Sequence, residues 1–255
     1  MPKVLKRGGV LLISKFIIGA GIGILVGKMF GQEGFLGLTT LAIISAVTNS
    51  NGSVYLTLMG NYGDQADCGC FPLLALNDGP FFTLVALGAS GLANIPFMSL
   101  LAAIIPVALG MIIGNLDHGM RDIFAPMGTA IIPLIGFALG TGIDLLSIVK
   151  GGMSGIILGL LTVFVGGAFI VLCDKFITRR PGYAGWAVAT TAGNAVAVPA
   201  AVALIDKAWE PFVAAATVQV AASVVISCIL APLITNWWAK KFGCPKYPLE
   251  GQKFE

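Results

Sequence analysis

Long apolar runs alternate with brief polar interruptions along nearly all of the 255 residues. Runs of about 20 residues, enough to cross ~30 Å of hydrocarbon at ~1.5 Å per residue, recur along the chain. They lie near 10–30, 36–60, 68–92, 96–114, 124–146, 151–173, 183–205 and 210–236. The connections between them are too short to hold a soluble domain. Lipid cannot satisfy exposed backbone groups, so the spans must be helices or a closed barrel, and runs this long without period-two alternation exclude the barrel. The pattern predicts an all-α fold: a polytopic helix bundle of about eight spans forming a single integral membrane domain, residues 1–255.

Two of these runs turn polar where a membrane helix should be driest. The second run carries AVTNSNGSVY, residues 46–55, and the seventh carries ATTAGNAVAVP, residues 189–199. Gly costs about 1 kcal/mol in a helix interior, and Asn or Ser side chains compete for backbone hydrogen bonds. Both helices are therefore expected to unwind at these centres, the second helped by Pro199. Freed backbone groups cost several kcal/mol each in lipid and are tolerated only under protein or beside a water-filled cavity. The plainer alternative is that these polar residues glue helices together through interhelical hydrogen bonds.

A shift of 142 positions lays the first three spans on the last three without a gap, bringing Thr48 onto Thr190, Val54 onto Val196 and Asp64 onto Asp206. The two polar centres fall at corresponding places. Spans four and five have no counterpart ahead of span one, which gives a first repeat of three helices (10–92) and a second of five (96–238). An odd number of spans per repeat sets the halves in opposite orientations, the inverted topology of many secondary transporters, and paired interruptions mark the binding site. The expectation is an inverted-repeat transporter with two broken, crossing helices, whose first two helices have no equivalent here.

The candidate binding residues follow: Thr48, Asn49, Asn51 and Ser53 in the first centre, and Thr190, Thr191 and Asn194 in the second. Half-helix N-termini and freed amides at such centres suit a hydrophilic, anionic solute. The third span adds Asn77-Asp78-Gly79-Pro80 near its middle. An Asp there costs ~2.5–3.5 kcal/mol on insertion scales, and burial disfavours its charged form, which makes Asp78 the candidate for taking up and releasing a coupling proton. The same shift sets Gln219 on Asn77, giving each repeat an amide close to its broken helix. Lys15 lies about one and a half turns into span one, where it reaches into the bundle or, as expected here, snorkels to the headgroups.

Composition agrees with a membrane protein: 57% of residues are hydrophobic and 11% charged, and the mean hydropathy is +0.93. With the N-terminus inside, the inner segments carry Lys3, Lys6, Arg7, Arg121, Lys175, Arg179, Arg180, Lys240, Lys241, Lys246 and Lys253, and the outer ones only Lys28, Lys150 and Lys207. That bias predicts cytoplasmic termini. The net charge of +3 reflects it and points to the lipid bilayer as partner, not to nucleic acid. Lys15 interrupts the first apolar run, which favours a retained helix over a signal peptide.

Little else suggests chemistry. The five cysteines read as packing residues, since Cys68-Gly-Cys70 lacks the spacing of a redox pair. Asp144, Asp174 and Glu210 sit at span ends and need no special role. GTGID, residues 140–144, has one residue too many for the intramembrane aspartyl protease motif, and the single histidine, His118, cannot form a metal cluster. With no phosphate loop, dinucleotide fingerprint or Ser-His-Asp set, an enzyme, a cofactor and a metal site are not expected.

The stretches TNSNGSVYLTLMGNYG, ALNDGPFFTLVALGASG, ALGMIIGNLD, IPLIGFALGTGIDL and TTAGNAVAVPAAVA together resemble the bacterial 2-keto-3-deoxygluconate permease family. The resemblance implies a proton symporter of the cytoplasmic (inner) membrane that takes up 2-keto-3-deoxygluconate, a small anionic sugar acid. It also implies kinship with the bile acid:sodium symporter-like transporters, whose five-plus-five inverted repeats form a core with two crossed broken helices and a separate panel. Asp78 matches the family's acidic residue before Gly-Pro, Lys15 its lysine in the third helix, and Thr48, Asn49 and Gly52 its polar pairs, so Lys15 joins Asn77 and Gln219 among the candidate substrate-binding residues. Asn194 departs from the small residue expected there. Two readings compete: a Na⁺-coupled carrier using backbone carbonyls with Asn51, Asn194 and Gln219, and a truncated non-transporting subunit, a homo-oligomer or a partner chain supplying the helices not found here.

Overall fold

A computed structural model describes residues 2–124, 126, 127, 137 and 152–252. Helix α1, Pro2–Phe30, runs unbroken through Lys15. Helix α2, Thr40–Thr48, begins at Thr39, whose side chain accepts from the Ala42 amide. Helix α3, Gly52–Tyr62, is capped by Asn51 on the Val54 amide. Short α4, Gln65–Gly69, and α5, Phe71–Leu74, lead through a 3₁₀ turn, Ala75–Asn77, to α6, Pro80–Ser90. Gly91, at φ 72°, ends α6 in the left-handed conformation that glycine tolerates. Helix α7 is Phe97–Leu116.

The span expected near 124–146, with Asp144 and the GTGID motif, lies almost wholly outside the described residues. Helix α8, Gly152–Leu160, passes through a π-helical turn into α9, Gly167–Cys173, and a second π turn ends at Thr178. Helix α10, Tyr183–Val188, is followed by a 3₁₀ segment, Gly193–Ala197, and by α11, Val198–Ile205. Helix α12, Val213–Phe242, closes the bundle.

Five of these helical stretches are long and apolar enough to cross a membrane, six if the pair bent by 54° at Asp78–Gly79 is one span. The stretch 40–62 is missing from that count because its break leaves two halves too short to qualify alone. Among the described residues the fold is all-α, with isolated bridges but no strand.

Without a hydrophobic drive between helices in lipid, close packing must hold the bundle, and small residues permit it. Gly19, Gly23 and Gly27 form one seam on α1 against α2: a Cβ on Gly19 would lie 2.6 Å from the Thr48 amide nitrogen. Gly155 and Gly159 seat α8 against Ala222 and Ile226 of α12 in the same way. Leu41, Ile44 and Val47 of α2, Leu87 of α6, Val202 of α11 and Val220 of α12 make one core cluster. Leu11, Tyr55, Met59, Tyr183 and Val188 make another, around α1, α3 and α10. The five cysteines are free, Cys70 and Cys244 fully buried, in keeping with a packing role.

A buried ionic network pins one end of the bundle. Arg7 donates to Asp64 at 2.7 and 2.8 Å and to Asp67 at 3.2 Å. Arg180 also donates to Asp67, and the Tyr183 hydroxyl donates to its other oxygen at 2.7 Å. Asp174 corrects an expectation: it is no idle span-end acid but fully buried, accepting from Thr178 at 2.5 Å and lying 3.9 Å from Arg180. Glu210 fits its expectation, exposed and loosely paired with Lys207 at 3.8 Å. Burial opposes the charge on Arg180, but Asp67 and Asp174 hold its guanidinium above the usual value. Burial likewise opposes ionisation of Asp64, but hydrogen bonds from Arg7 and the Asp67 amide hold its carboxyl below the usual range.

Candidate functional site

Both polar centres unwind. In the first, the chain leaves helical geometry at Asn49 (φ −94°, ψ 148°) and stays extended to Asn51 (φ −83°, ψ 101°), where α3 begins. In the second, α10 ends at Val188, and helical geometry returns only as the 3₁₀ segment from Gly193. The expected breaks are present, and the second is the longer.

The two breaks touch. The Asn51 amide donates to Thr190 Oγ1 at 2.9 Å. Lys15 of α1, fully buried, donates from Nζ to the Thr190 carbonyl at 2.9 Å. The expectation that Lys15 snorkels to the headgroups is therefore overturned. Its position in the middle of α1, on the face packed against the bundle, aims the side chain inward at a carbonyl that unwinding has freed.

The bend at Asp78–Gly79 joins the same place. Gly79 has φ 156° and ψ −176°, a conformation almost confined to glycine, and its amide donates to Asn49 Oδ1 at 2.9 Å. Asn194 Nδ2, from the second break, donates to the Asp78 carbonyl at 3.0 Å. The Asp78 side chain lies against Gly52, the first residue of α3, where a Cβ would come 3.2 Å from Oδ2. Ser50 donates to Asn77 Oδ1 at 2.8 Å. Three interrupted helices and one lysine thus converge. Two buried amide atoms there, Asn77 Nδ2 and Asn194 Oδ1, have no hydrogen-bond partner.

Within the first break, Asn49 Nδ2 donates to the Ser45 carbonyl at 2.8 Å, and Thr48 Oγ1 donates to Ile44 at 2.6 Å and meets Thr83 at 3.1 Å. In the second, the Thr191 amide donates to Ser227 Oγ at 2.9 Å and its hydroxyl meets Ser223 at 2.8 Å.

Two expected residues are not brought to the crossing. Ser53 is exposed, because one residue into α3 the helix turns that side chain outward. Gln219 accepts at Oε1 from the amide and hydroxyl of Thr39, both at 3.1 Å, and donates from Nε2 to Gly37 at 2.6 Å. It therefore fastens the far end of α2, with both its oxygen and its nitrogen bonded there.

Thr83, Ser223 and Ser227 pack into the same crossing but were not singled out in the sequence, whereas Ser50 lay within its first polar centre. The α12 pair left a signal: Gln219, Ser223 and Ser227 recur every four residues, a polar stripe on one face of an otherwise apolar helix. Cys228 beside it takes a weak hydrogen bond from Asn51 Nδ2 at 3.8 Å. Among the described residues no group of three or more His, Cys, Asp or Glu could hold a metal ion.

Comparison with known proteins identifies the family. The family model for 2-keto-3-deoxygluconate permease matches residues 1–244. "2-keto-3-deoxygluconate permease 1" of Salmonella typhimurium is 48% identical over 240 residues, covering 94% of this chain and 75% of that protein. The 2-keto-3-deoxygluconate permease of Bacillus subtilis is 38% identical over 243 residues, 93% of this chain and 74% of its own length. That of Escherichia coli O139:H28 is 35% identical over 243 residues, with the same two shares. No solved structure matches significantly. The chain belongs to the 2-keto-3-deoxygluconate permease family, a family of membrane transporters and not of enzymes.

Proposed function

We propose that this permease takes up 2-keto-3-deoxygluconate across the bacterial inner membrane together with one or more protons, binding it where the two broken helices cross. The relatives' names support the solute. The observation that carries the site is the buried Lys15 ammonium at the Thr190 carbonyl, where the breaks touch. Among the described residues no carboxylate pairs with it. An anionic solute would supply the missing counter-charge. Asn77 Nδ2 and Asn194 Oδ1, a donor and an acceptor without partners, would bond its hydroxyls and carbonyl.

Asp78 is the proton carrier in this reading. Its side chain lies at the first residue of α3 and its carbonyl holds Asn194, so a change in its charge acts on both breaks. A monoanion entering with one proton moves no net charge, which avoids ~2.3 kcal/mol per charge per 100 mV against a cell-negative potential.

The inverted repeat is part of the proposal. Asp64 and Asp206, paired by the shift of 142, each cap the helix that follows a broken one. With both termini cytoplasmic, the ionic network of Arg7, Asp67 and Arg180 lies on the inner side.

The sodium-coupled alternative is weaker. Gln219 is occupied at the far end of α2 and Asn51 Oδ1 caps Val54, leaving only Asn194 Oδ1 of the three amides. The test is uptake of labelled 2-keto-3-deoxygluconate by sealed proteoliposomes under separately imposed proton and sodium gradients. Accumulation driven by the proton gradient alone, lost in Asp78→Asn, is expected. Accumulation driven only by sodium, or undiminished in Asp78→Asn, overturns the coupling.

A further inference from the structure

A second site lies at the end of the bundle that carries the chain's first residues. A cavity of about 560 Å³ opens between the start of α1, the turn after α9 and the end of α12, and Lys3, Lys6, Arg7, Lys175, Arg179 and Arg180 line it. It is distinct from the crossing: Arg7 precedes Lys15 on α1 by about two turns, or ~12 Å. Arg7 and Arg180 are paired with Asp64 and Asp67, but Lys3, Lys6, Lys175 and Arg179 form no ion pair among the described residues.

Helix ends explain part of this and not the whole. Lys175 and Arg179 complement the carbonyl end of the helix that finishes at Thr178. Lys3 and Lys6 sit at the opposite pole of α1, where the helix dipole disfavours cations, and yet they face the same cavity. Arg180 adds a sharper sign. It is about nine-tenths buried, and its Nη1, too far from Asp174 at 3.9 Å to donate to it, has no hydrogen-bond partner. Gathering four unpaired cations around one cavity is repulsive unless an anion with several acceptor oxygens joins them.

We propose that this pocket binds a phosphate-bearing anion, either the headgroup of an anionic phospholipid or a soluble phosphate compound. Exposed Leu5, Phe176 and Ile177 (58%, 79% and 54% accessible) sit beside the basic residues. Cations next to apolar surface at helix ends fit a phospholipid, headgroup in the pocket and acyl chains along the bundle.

The experiment is thermal unfolding of the full chain in neutral detergent, titrated separately with phosphatidylglycerol, phosphatidylcholine, inorganic pyrophosphate and 2-keto-3-deoxygluconate. The variant Lys6→Gln/Arg179→Gln is the control, since both side chains are exposed and form no ion pair among the described residues. A rise in the midpoint with phosphatidylglycerol but not phosphatidylcholine identifies the lipid. A saturable rise with pyrophosphate and no lipid selectivity identifies a soluble phosphate. In either case the apparent affinity weakens roughly fivefold for each cation removed. No shift with either phosphate probe, or a shift undiminished in the variant, overturns the proposal. So does loss of the phosphate-probe shift when the titration is repeated with the keto-acid already present, which would make the pocket a vestibule for the carried solute; transport itself could fail without touching this result.

Discussion

The two broken helices solve the same problem in different ways. The first break carries much of its own satisfaction: Asn49 reaches back to Ser45, Asn51 caps α3 and Thr48 turns back to Ile44, while Gly79 and Thr190 add contacts from outside. The second has few resources of its own. Neither α10 nor the 3₁₀ segment has a side-chain cap, and the freed backbone groups are met from other helices: the Thr190 carbonyl by Lys15 of α1 and the Thr191 amide by Ser227 of α12. A break satisfied locally stays formed when its neighbours shift. One satisfied by other helices registers every movement of those helices, which suits the part of a carrier that must change partners when the solute arrives.

Lys15→Met should break this contrast most severely. It removes the cation from the second break, and charge-assisted hydrogen bonds are worth roughly 1.5–3 kcal/mol, so uptake of 2-keto-3-deoxygluconate should fall about 10- to 100-fold while the purified protein stays folded. Asn49→Ala comes next. It strands the Ser45 carbonyl and the Gly79 amide together, at about 1–3 kcal/mol for each, and should appear as a lowered unfolding midpoint.

Ser227→Ala asks less of the fold. One buried backbone group, the Thr191 amide, loses its partner where Asn49→Ala strands two, at about 1–3 kcal/mol. The midpoint should fall about half as far as in Asn49→Ala, with solute affinity changing as well. Gln219→Leu should affect the site least: it loosens the start of α2, and binding of the keto-acid should remain within about twofold of the parent protein. A large loss of affinity in that variant would return Gln219 to the site.

The same contrast explains what the sequence could and could not reveal. The first break was legible because several of the groups that satisfy it are its immediate neighbours, and TNSNG announces them in five letters. The second was legible as a break, but its partners lie on helices far along the chain, and Ser223 and Ser227 look like ordinary small packing residues when read singly. Lys15 was misjudged because sequence gives its depth in the helix but not which side of α1 faces the bundle. Asp174 was passed over for the same reason: its partner Arg180 becomes visible only once the chain turns after Thr178. Gln219 was placed correctly on its helix and wrongly in space, since the shift of 142 aligns positions along a chain and does not fix the end of α2 that a side chain reaches.

The central claim is that the solute sits where the breaks cross, and alkylation of a cysteine placed there tests it most directly. With the five native cysteines replaced, Asn51→Cys and the exposed Thr57→Cys would each be treated with a small water-soluble thiol reagent, with and without 2-keto-3-deoxygluconate. The account predicts that the keto-acid slows modification at position 51 and leaves position 57 unaffected. Equal rates at position 51 with and without the solute would contradict it.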